Sequence, residues 1–413
     1  MAGLVSLSQA QELVWSRACV LPVVEHVPLL AALHRHAAAE YATDGPWPTT
    51  DRSAMDGFAV VAGAGGLAAG TVLPVVGESL AGHPFGRALG PREAIRIMTG
   101  AVVPAGADAV VPVEQTSGYA GAEVTLQAAV ARGANIRPCG SELAAATVVV
   151  TKGQRLRAAE IGVLAVLGIA EVAVVRRPRV AILSTGDEVV PLRQTPASHQ
   201  VRDSNSWALA AQVLEAGGEP IQLGIAGDEA GVTRRMLAAG LADADVLLSI
   251  GGISEGTHDL VQQELEALGV AQVFHGIALK PGKPTFFGMA AGGNGPRFVF
   301  GLPGNPASCF TVFDLLVAPL LARLQGAAAA SAPGQARLAG PAFRTNPRLQ
   351  AIPARITADA QGLLQARLAA PRSSGDPFSL LPATGYALVP PAADAASTPA
   401  APVCFYGGGP QPR

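Results

Sequence analysis

Apolar and polar positions follow two rhythms along this chain, and the change falls at Arg179. Beyond it, short apolar runs end in glycine or polar turns, and each is followed by a helical pattern. VAILSTGDEV, from Val180, predicts a strand and loop, and Asp203 or Ser204 then caps a helix over Trp207 to Ala216. A strand from Ile221 to Gly224 precedes a helix that runs from a cap at Asp228 to Ala239. VLLSIGGISEGTHD, Val246 to Asp259, gives a buried strand, a Gly-Gly turn and a polar loop, and a helix follows from Leu260 to Leu268. Strands at Gln272 to Phe274 and Phe298 to Phe300 and a helix from Pro306 to Leu324 complete the series. Strands alternating with helices predict a doubly wound, mainly parallel α/β sheet covered on both faces.

Before Arg179 the rhythm is mixed. Ser8 to Gln11 resembles a capping box that opens a helix to about Ala18, and a second apolar helix is expected over Leu29 to Tyr41. Asp44 to Asp51 is a loop. From Phe58 to about Leu126, runs rich in Val and Ile are divided by Gly and Pro, which predicts a small β lobe. Leu143 to Val175 mixes strands with one helix, Ala158 to Leu167. After the alanine-rich linker Gly326 to Gly334, short runs predict another small β domain, with a weakly structured tail from Pro390.

Composition narrows the function classes. A chain of 413 residues is too long for one core, and 49% hydrophobic with 15% charged residues is a packed, globular balance. A net charge of -2 gives no electrostatic case for nucleic acid or an acidic membrane surface. Cys19, Cys139, Cys309 and Cys404 are scattered, with no C-x-x-C pair, as expected of reduced thiols in a cytoplasmic protein. Glu12 and Arg17 in an amphipathic pattern argue against a signal peptide, and no apolar run is expected to reach the ~18 residues of a membrane span.

Lysine usage is the sharpest anomaly. The chain has three lysines, Lys152, Lys280 and Lys283, and its other 26 Lys/Arg positions are arginine. Two of the three share the loop LKPGKP, where Pro281-Gly282 excludes a helix and imposes a turn. Both ammonium groups can then face one point and meet a multivalent anion. With Gly251-Gly252 and the later GLPGNPAS loop (Gly301 to Ser308), this makes three loops on strand ends, hence one expected anion-binding crevice. No P-loop signature accompanies it. Asp187, Glu188, Asp228 and Asp259 lie just past predicted strands, where carboxylates beside phosphate suit Mg²⁺; helix capping is the alternative, above all for Asp228. Asp56 in SAMDGFAV and Thr99 in a turn after AIRIM are, on spacing alone, turn residues with outward polar groups. The histidines form no metal signature, and His34-Arg35-His36 reads as a helix surface.

SAMDGFAV, RIMTGA, STGDE, DSN, GGISEGTHD, LKPGKP and GLPGNPAS stand in the order seen in molybdopterin molybdenumtransferases, and the chain resembles that family over nearly its whole length. The resemblance implies a homodimer of four-domain subunits. Residues 1–26 and 176–325 would form the α/β domain, 27–45 and 147–175 an elongated linking domain, 46–146 the β lobe, and 335–413 a C-terminal β barrel. It implies that adenylylated molybdopterin and molybdate react to give molybdenum cofactor and AMP, with Mg²⁺ required, in a cleft between the α/β domain of one subunit and the lobe of the other. Carried onto this sequence, Asp228 and Asp259 match essential acids and metal ligands, with Glu188, Asp56 and Thr99 as further catalytic candidates. Gly251, Gly252, Ser254, Gly256, Lys280, Lys283, Pro303, Pro306 and Ser308 match substrate positions. Arg355 and Ser374 are the C-terminal candidates. A molybdopterin adenylyltransferase would be the expected partner. Two departures stand out: Arg52 where the family usually has Asn, and Glu142 where it usually has Asp. The alternatives are an ATP-using molybdopterin adenylyltransferase, which shares the α/β domain and the GGxSxG loop, and a non-enzymatic scaffold. The added β lobes and the LKPGKP and GLPGNP loops favour the transferase.

Overall fold

The computed structural model describes residues 3–227, 229–253, 260–293, 295–327, 334–340, 346–369, 373–391 and 400–406. The chain divides into two compact units, one of residues 1–39, 152–161 and 171–413, the other of 40–151 and 162–170.

The first unit is built on a six-stranded sheet. Its order is Glu219–Ala226, Arg179–Thr185, Val246–Ile250, Arg297–Leu302, Phe286–Ala290 and Ala271–His275. The first four strands are parallel and the last two joins are antiparallel. The alternation of side chains along each strand divides the core. Val246, Leu248 and Ile250 pack with Phe298, Phe300 and Leu302 against the helices Leu7–Trp15, Asn205–Glu215 and Pro306–Leu324. Leu247 and Val299 face the other way, toward the helices Ala230–Asp243 and Leu260–Ala267. Each fully buried Leu, Ile or Phe contributes about 1.5–3 kcal/mol of transfer free energy, and all five residues of the Val246–Ile250 strand are buried. That strand is therefore a stiff base for whatever its carboxyl end carries.

The last 80 residues contribute a second sheet to this unit. Strands Leu349–Ala358, Leu364–Leu368, Gly334–Ala339, Ala400–Phe405 and Gly385–Val389 close into a barrel, because Gly385–Val389 pairs back onto Leu349–Ala358. The two-residue strand Leu279–Lys280 adds to it alongside Leu349–Gln350. The second unit holds a five-stranded sheet in the order Ala109–Pro112, Gly57–Val60, Ala94–Ile97, Val72–Ser79 and Glu123–Thr125, with Phe58, Val60, Val111 and Leu126 in its core.

Several expectations need correction. Leu29 to Tyr41 forms one 3-10 turn, Leu29–Ala32, not a helix. The preceding Val24–Pro28 instead pairs with Glu171–Val175, and His34 takes a left-handed φ of 66°, so tertiary pairing overrides helical pattern. Arg35 and His36 are consequently buried rather than on a surface, Arg35 bonding Glu25 and the Val175 carbonyl. Burial, then the charges of Arg155 and Arg35, lowers the His36 pKa to about 4. The first helix is boxed by Ser6 and Gln9, not Ser8 and Gln11. Strand Phe286–Ala290 was not expected, and its antiparallel joins make the sheet mixed at one edge. The tail includes the strand Ala400–Phe405. Finally, Pro306–Leu324 is 19 residues long and apolar enough for a membrane span, with mean hydropathy 1.7, but 72% of that window is buried within the protein as a core helix.

Candidate functional site

Sheet register places three loops on one edge. Ile250 is level with Leu302, Phe286 is level with Gly301, and His275 is level with Phe286. The carboxyl ends of Val246–Ile250, Arg297–Leu302 and Ala271–His275 therefore share the edge where α/β sheets bind ligands. At the first loop, Gly251 and Gly252 take φ of 81° and 62°, the left-handed region that suits glycine. A Cβ on Gly252 would lie 2.5 Å from Val261 Cγ2, so no side chain fits there without displacing the next helix. The turn is tied down by Gly251 N–H donating to Leu302 O at 3.0 Å and by Thr185 Oγ1 donating to Ile250 O at 2.8 Å.

The lysine loop is braced from within. Ile277 N–H and Thr285 N–H both donate to Lys283 O, and Thr285 Oγ1 donates to Gly282 O at 2.7 Å. Gly282 has φ of 115°, and the Lys280-Pro281 peptide is cis. Thr285 is buried while both lysines are exposed, and among the described residues no salt bridge includes a lysine. The hydrogen-bonded turn thus presents two cations, and no acid among the described residues pairs with either.

The third loop is held from two sides. Pro303 is buried and Gly304 exposed, and Asn305 precedes the helix that starts at Pro306. Asn205 Nδ2 donates to Gly304 O at 2.8 Å, Asn305 Nδ2 donates to Ser374 Oγ at 3.1 Å, and Ala307 N–H donates to Ser374 O at 3.2 Å. Ser308, in the first helical turn, is 3% exposed. Sequence reasoning singled out Ser374 and the GLPGNP loop but missed Asn205 and Thr185; the only signal for Asn205 was its place in DSN at a helix start.

Asp228, Ser254, Gly256 and Asp259 lie outside the described residues. Asp187 and Glu188 are exposed just past Arg179–Thr185. Asp187 Oδ1 comes within 2.8 Å of where a Cβ on Gly227 would stand, and the Glu188 carboxylate folds over Gly186 in the same way. Hard oxygen donors such as these suit Mg²⁺ in kind, although no three His, Cys, Asp or Glu side chains gather as ligands among the described residues. Arg355 is not brought to the lysines. Lys280 is level with Gln350, five residues earlier on the same strand, or about 17 Å at ~3.3 Å per residue. Arg355 is exposed opposite Arg367.

In the second unit Asp56 and Thr99 do meet. Asp56 Oδ1 accepts from Thr99 N–H at 2.7 Å and from Thr99 Oγ1 at 3.0 Å, and these two donors hold its pKa below the usual carboxylate value. Arg52 Nη1 donates to Gly100 O at 3.1 Å, bracing the same turn. Glu142 pairs with Arg137 at 2.9 Å. All four cysteines are free thiols; Cys309 is buried, and burial drives its pKa far up, which excludes it as a ready nucleophile.

Comparison with known proteins identifies the family. The family model for the MoeA N-terminal region (domain I and II) matches residues 5–168, and that for a probable molybdopterin binding domain matches residues 181–323. Molybdopterin molybdenumtransferase of Haemophilus influenzae is 36% identical over 302 residues, 73% of this chain and 73% of that protein. The Bacillus subtilis protein of the same name is 35% identical over 304 residues, 72% of this chain and 70% of its own length. A molybdopterin biosynthesis MoeA protein crystal structure from Pyrococcus horikoshii superposes with a TM-score of 0.82 at 32% identity, over 98% of this chain and 99% of that one. With its α/β sheet, β lobe and C-terminal barrel all accounted for, the chain belongs to the molybdopterin molybdenumtransferase family of enzymes.

Proposed function

We propose that this enzyme inserts molybdenum into adenylylated molybdopterin, using molybdate and releasing AMP. The observation that carries the reading is the Lys280–Lys283 turn, two exposed cations without an acid partner among the described residues, on the sheet edge that also carries the Gly251-Gly252 and GLPGNP loops. Molybdate is a tetrahedral dianion, so its site needs fixed cations and hydrogen-bond donors. Lys280 and Lys283 supply the charge. Gly251, Gly252, Pro303, Pro306 and Ser308 line the substrate site, with Ser374 beside them, and Ser254 and Gly256 are assigned to it from the sequence motif alone. Asp56, held ionised by Thr99, acts as a fixed anion or proton acceptor in the same reaction. Asp228 and Asp259, supported by Glu188, are the residues that would hold Mg²⁺, which offsets pyrophosphate charge when bound. We assign the enzyme to the cytoplasm as a homodimer that receives substrate from a molybdopterin adenylyltransferase.

The test is AMP release from adenylylated molybdopterin, with and without molybdate, at fixed Mg²⁺. Release that depends on molybdate supports the insertion reaction. No release, with ATP consumed instead in the presence of free molybdopterin, would make the enzyme an adenylyltransferase and turn the lysine loop into an ATP phosphate site.

A further inference from the structure

We infer that Asn205, Asn305 and Ser374 form a hydrogen-bonded clip that positions the GLPGNP loop, so that Ser374 serves the reaction through the loop and not as a ligand. The inference rests on the functional reading above for its catalytic readout, though not for its structural one. Three segments far apart in sequence meet here. The side chain of Asn205 holds the Gly304 carbonyl, the side chain of Asn305 reaches Ser374 Oγ, and the carbonyl of Ser374 takes the Ala307 N–H. Pro303 and Pro306 already fix φ at two positions of the loop. The freedom left lies mainly at Gly304 and Asn305, and the clip holds one group on each. The Ala307 amide is one of the first-turn donors that no helical carbonyl can satisfy, and Ser374 satisfies it.

Asn205 is itself anchored. Its neighbour Asp203 is 7% exposed and accepts from Ser184 Oγ at 2.9 Å, Ser206 Oγ at 2.6 Å and Ser206 N–H at 3.1 Å. Ser184 belongs to the Arg179–Thr185 strand, so the clip is referenced to the sheet. On the other side, Ser374 belongs to the C-terminal sequence between the barrel strands Leu364–Leu368 and Gly385–Val389. This gives the barrel a role that needs no direct contact with substrate: it holds the loop in register with the Gly251-Gly252 turn, where a Cβ on Gly304 would lie 3.9 Å from Gly251 Cα.

Amide hydrogen exchange over residues 303–309 of the full-length protein tests the clip without any ligand. Asn305→Ala and Ser374→Ala should each speed exchange there about 5- to 10-fold, the loss of one ordinary hydrogen bond. The double variant should go no further than either single, since both remove the same contact. Ser374→Thr, which keeps the hydroxyl, should restore slow exchange, and exchange in Val246–Ile250 should be unchanged in all, which shows that the variants fold. Under molybdate-dependent turnover the same variants should lower kcat/KM in proportion to the exchange they gain. If Ser374→Ala raised the molybdate KM while exchange in 303–309 stayed slow, Ser374 would be a ligand and the clip would be wrong. Fast exchange with unaltered kinetics would equally overturn it. Absence of molybdate-dependent AMP release from the wild-type enzyme would instead remove the functional reading and leave the exchange result standing.

Discussion

The sheet edge of the first unit and the Asp56 turn of the second hold charge in opposite ways. Lys280 and Lys283 stand on a turn whose backbone is braced by Thr285 and Ile277, yet their ammonium groups have no salt-bridge partner among the described residues. Asp56 has its carboxylate clamped by two donors from one residue, Thr99. Two like charges on one short turn favour an incoming dianion, which attracts both, so the interaction is left for a ligand to make. A pinned carboxylate is spent on orientation: its charge and direction are set before any substrate arrives. The first arrangement suits capture, the second suits a fixed role in chemistry.

The largest effect should come from emptying the capture site. Lys280→Ala combined with Lys283→Ala removes both cations and should raise the molybdate concentration needed for half-maximal AMP release by about 100-fold or more, each charge-assisted contact being worth about 1.5–3 kcal/mol. Maximal rate at saturating molybdate should fall much less. A molybdate dependence left intact, with adenylylated substrate binding poorly, would move the lysines to the phosphate end of the site.

How much of this was legible in the sequence follows from where the information lies. Val246–Ile250 and its Gly-Gly turn could be read directly, because a five-residue run with four apolar positions that ends in glycine has few other structures open to it. The lysine turn could be read because Pro281-Gly282 excludes alternatives and because lysine is so scarce elsewhere. Strand Phe286–Ala290 could not: FFGMA is as apolar as a helix segment, and only pairing with Arg297–Leu302 decides it. His36 failed for the same reason: it is tied to Arg155 by a β-bridge and its carbonyl accepts from the Val175 N–H, both more than a hundred residues away. Asn205 was hidden more deeply, since its carbonyl partner at Gly304 is 99 residues distant and any polar residue would serve the local helix start. Local chemistry can be read from a chain; contacts closed by topology cannot.

The pinned acid gives the next effect. Asp56→Asn keeps size and can still accept from the Thr99 amide, but it removes the charge. If Asp56 transfers a proton or opposes developing positive charge, kcat should drop about 100-fold, with the molybdate KM within about threefold of wild type. That pattern is the reverse of the lysine variant, and the two together test the division into capture and chemistry. A raised molybdate KM with kcat preserved in Asp56→Asn would collapse it.

Thr99→Val is the gentlest probe and the most specific. It deletes the hydroxyl donor to Asp56 Oδ1 and leaves the amide donor at 2.7 Å in place. The amide is the larger of the two influences that lower the Asp56 pKa, and the hydroxyl is the second. Removing the smaller one should therefore move the pKa partway back up toward the ordinary carboxylate value. The sign is fixed: a carboxylate that must be ionised to act loses function as pH falls through its pKa, so a higher pKa brings that loss on sooner. The acid limb of kcat/KM should shift to higher pH in Thr99→Val, vanish in Asp56→Asn, and return to its wild-type position in Thr99→Ser, where the hydroxyl is restored. At neutral pH, well above the limb in every case, the Val variant should lose no more than about tenfold, the value of one hydrogen bond to a charged group at an exposed site. An acid limb that stays put in Thr99→Val would mean that the limb belongs to another acid, and Asp56 would then be a structural clamp for the turn.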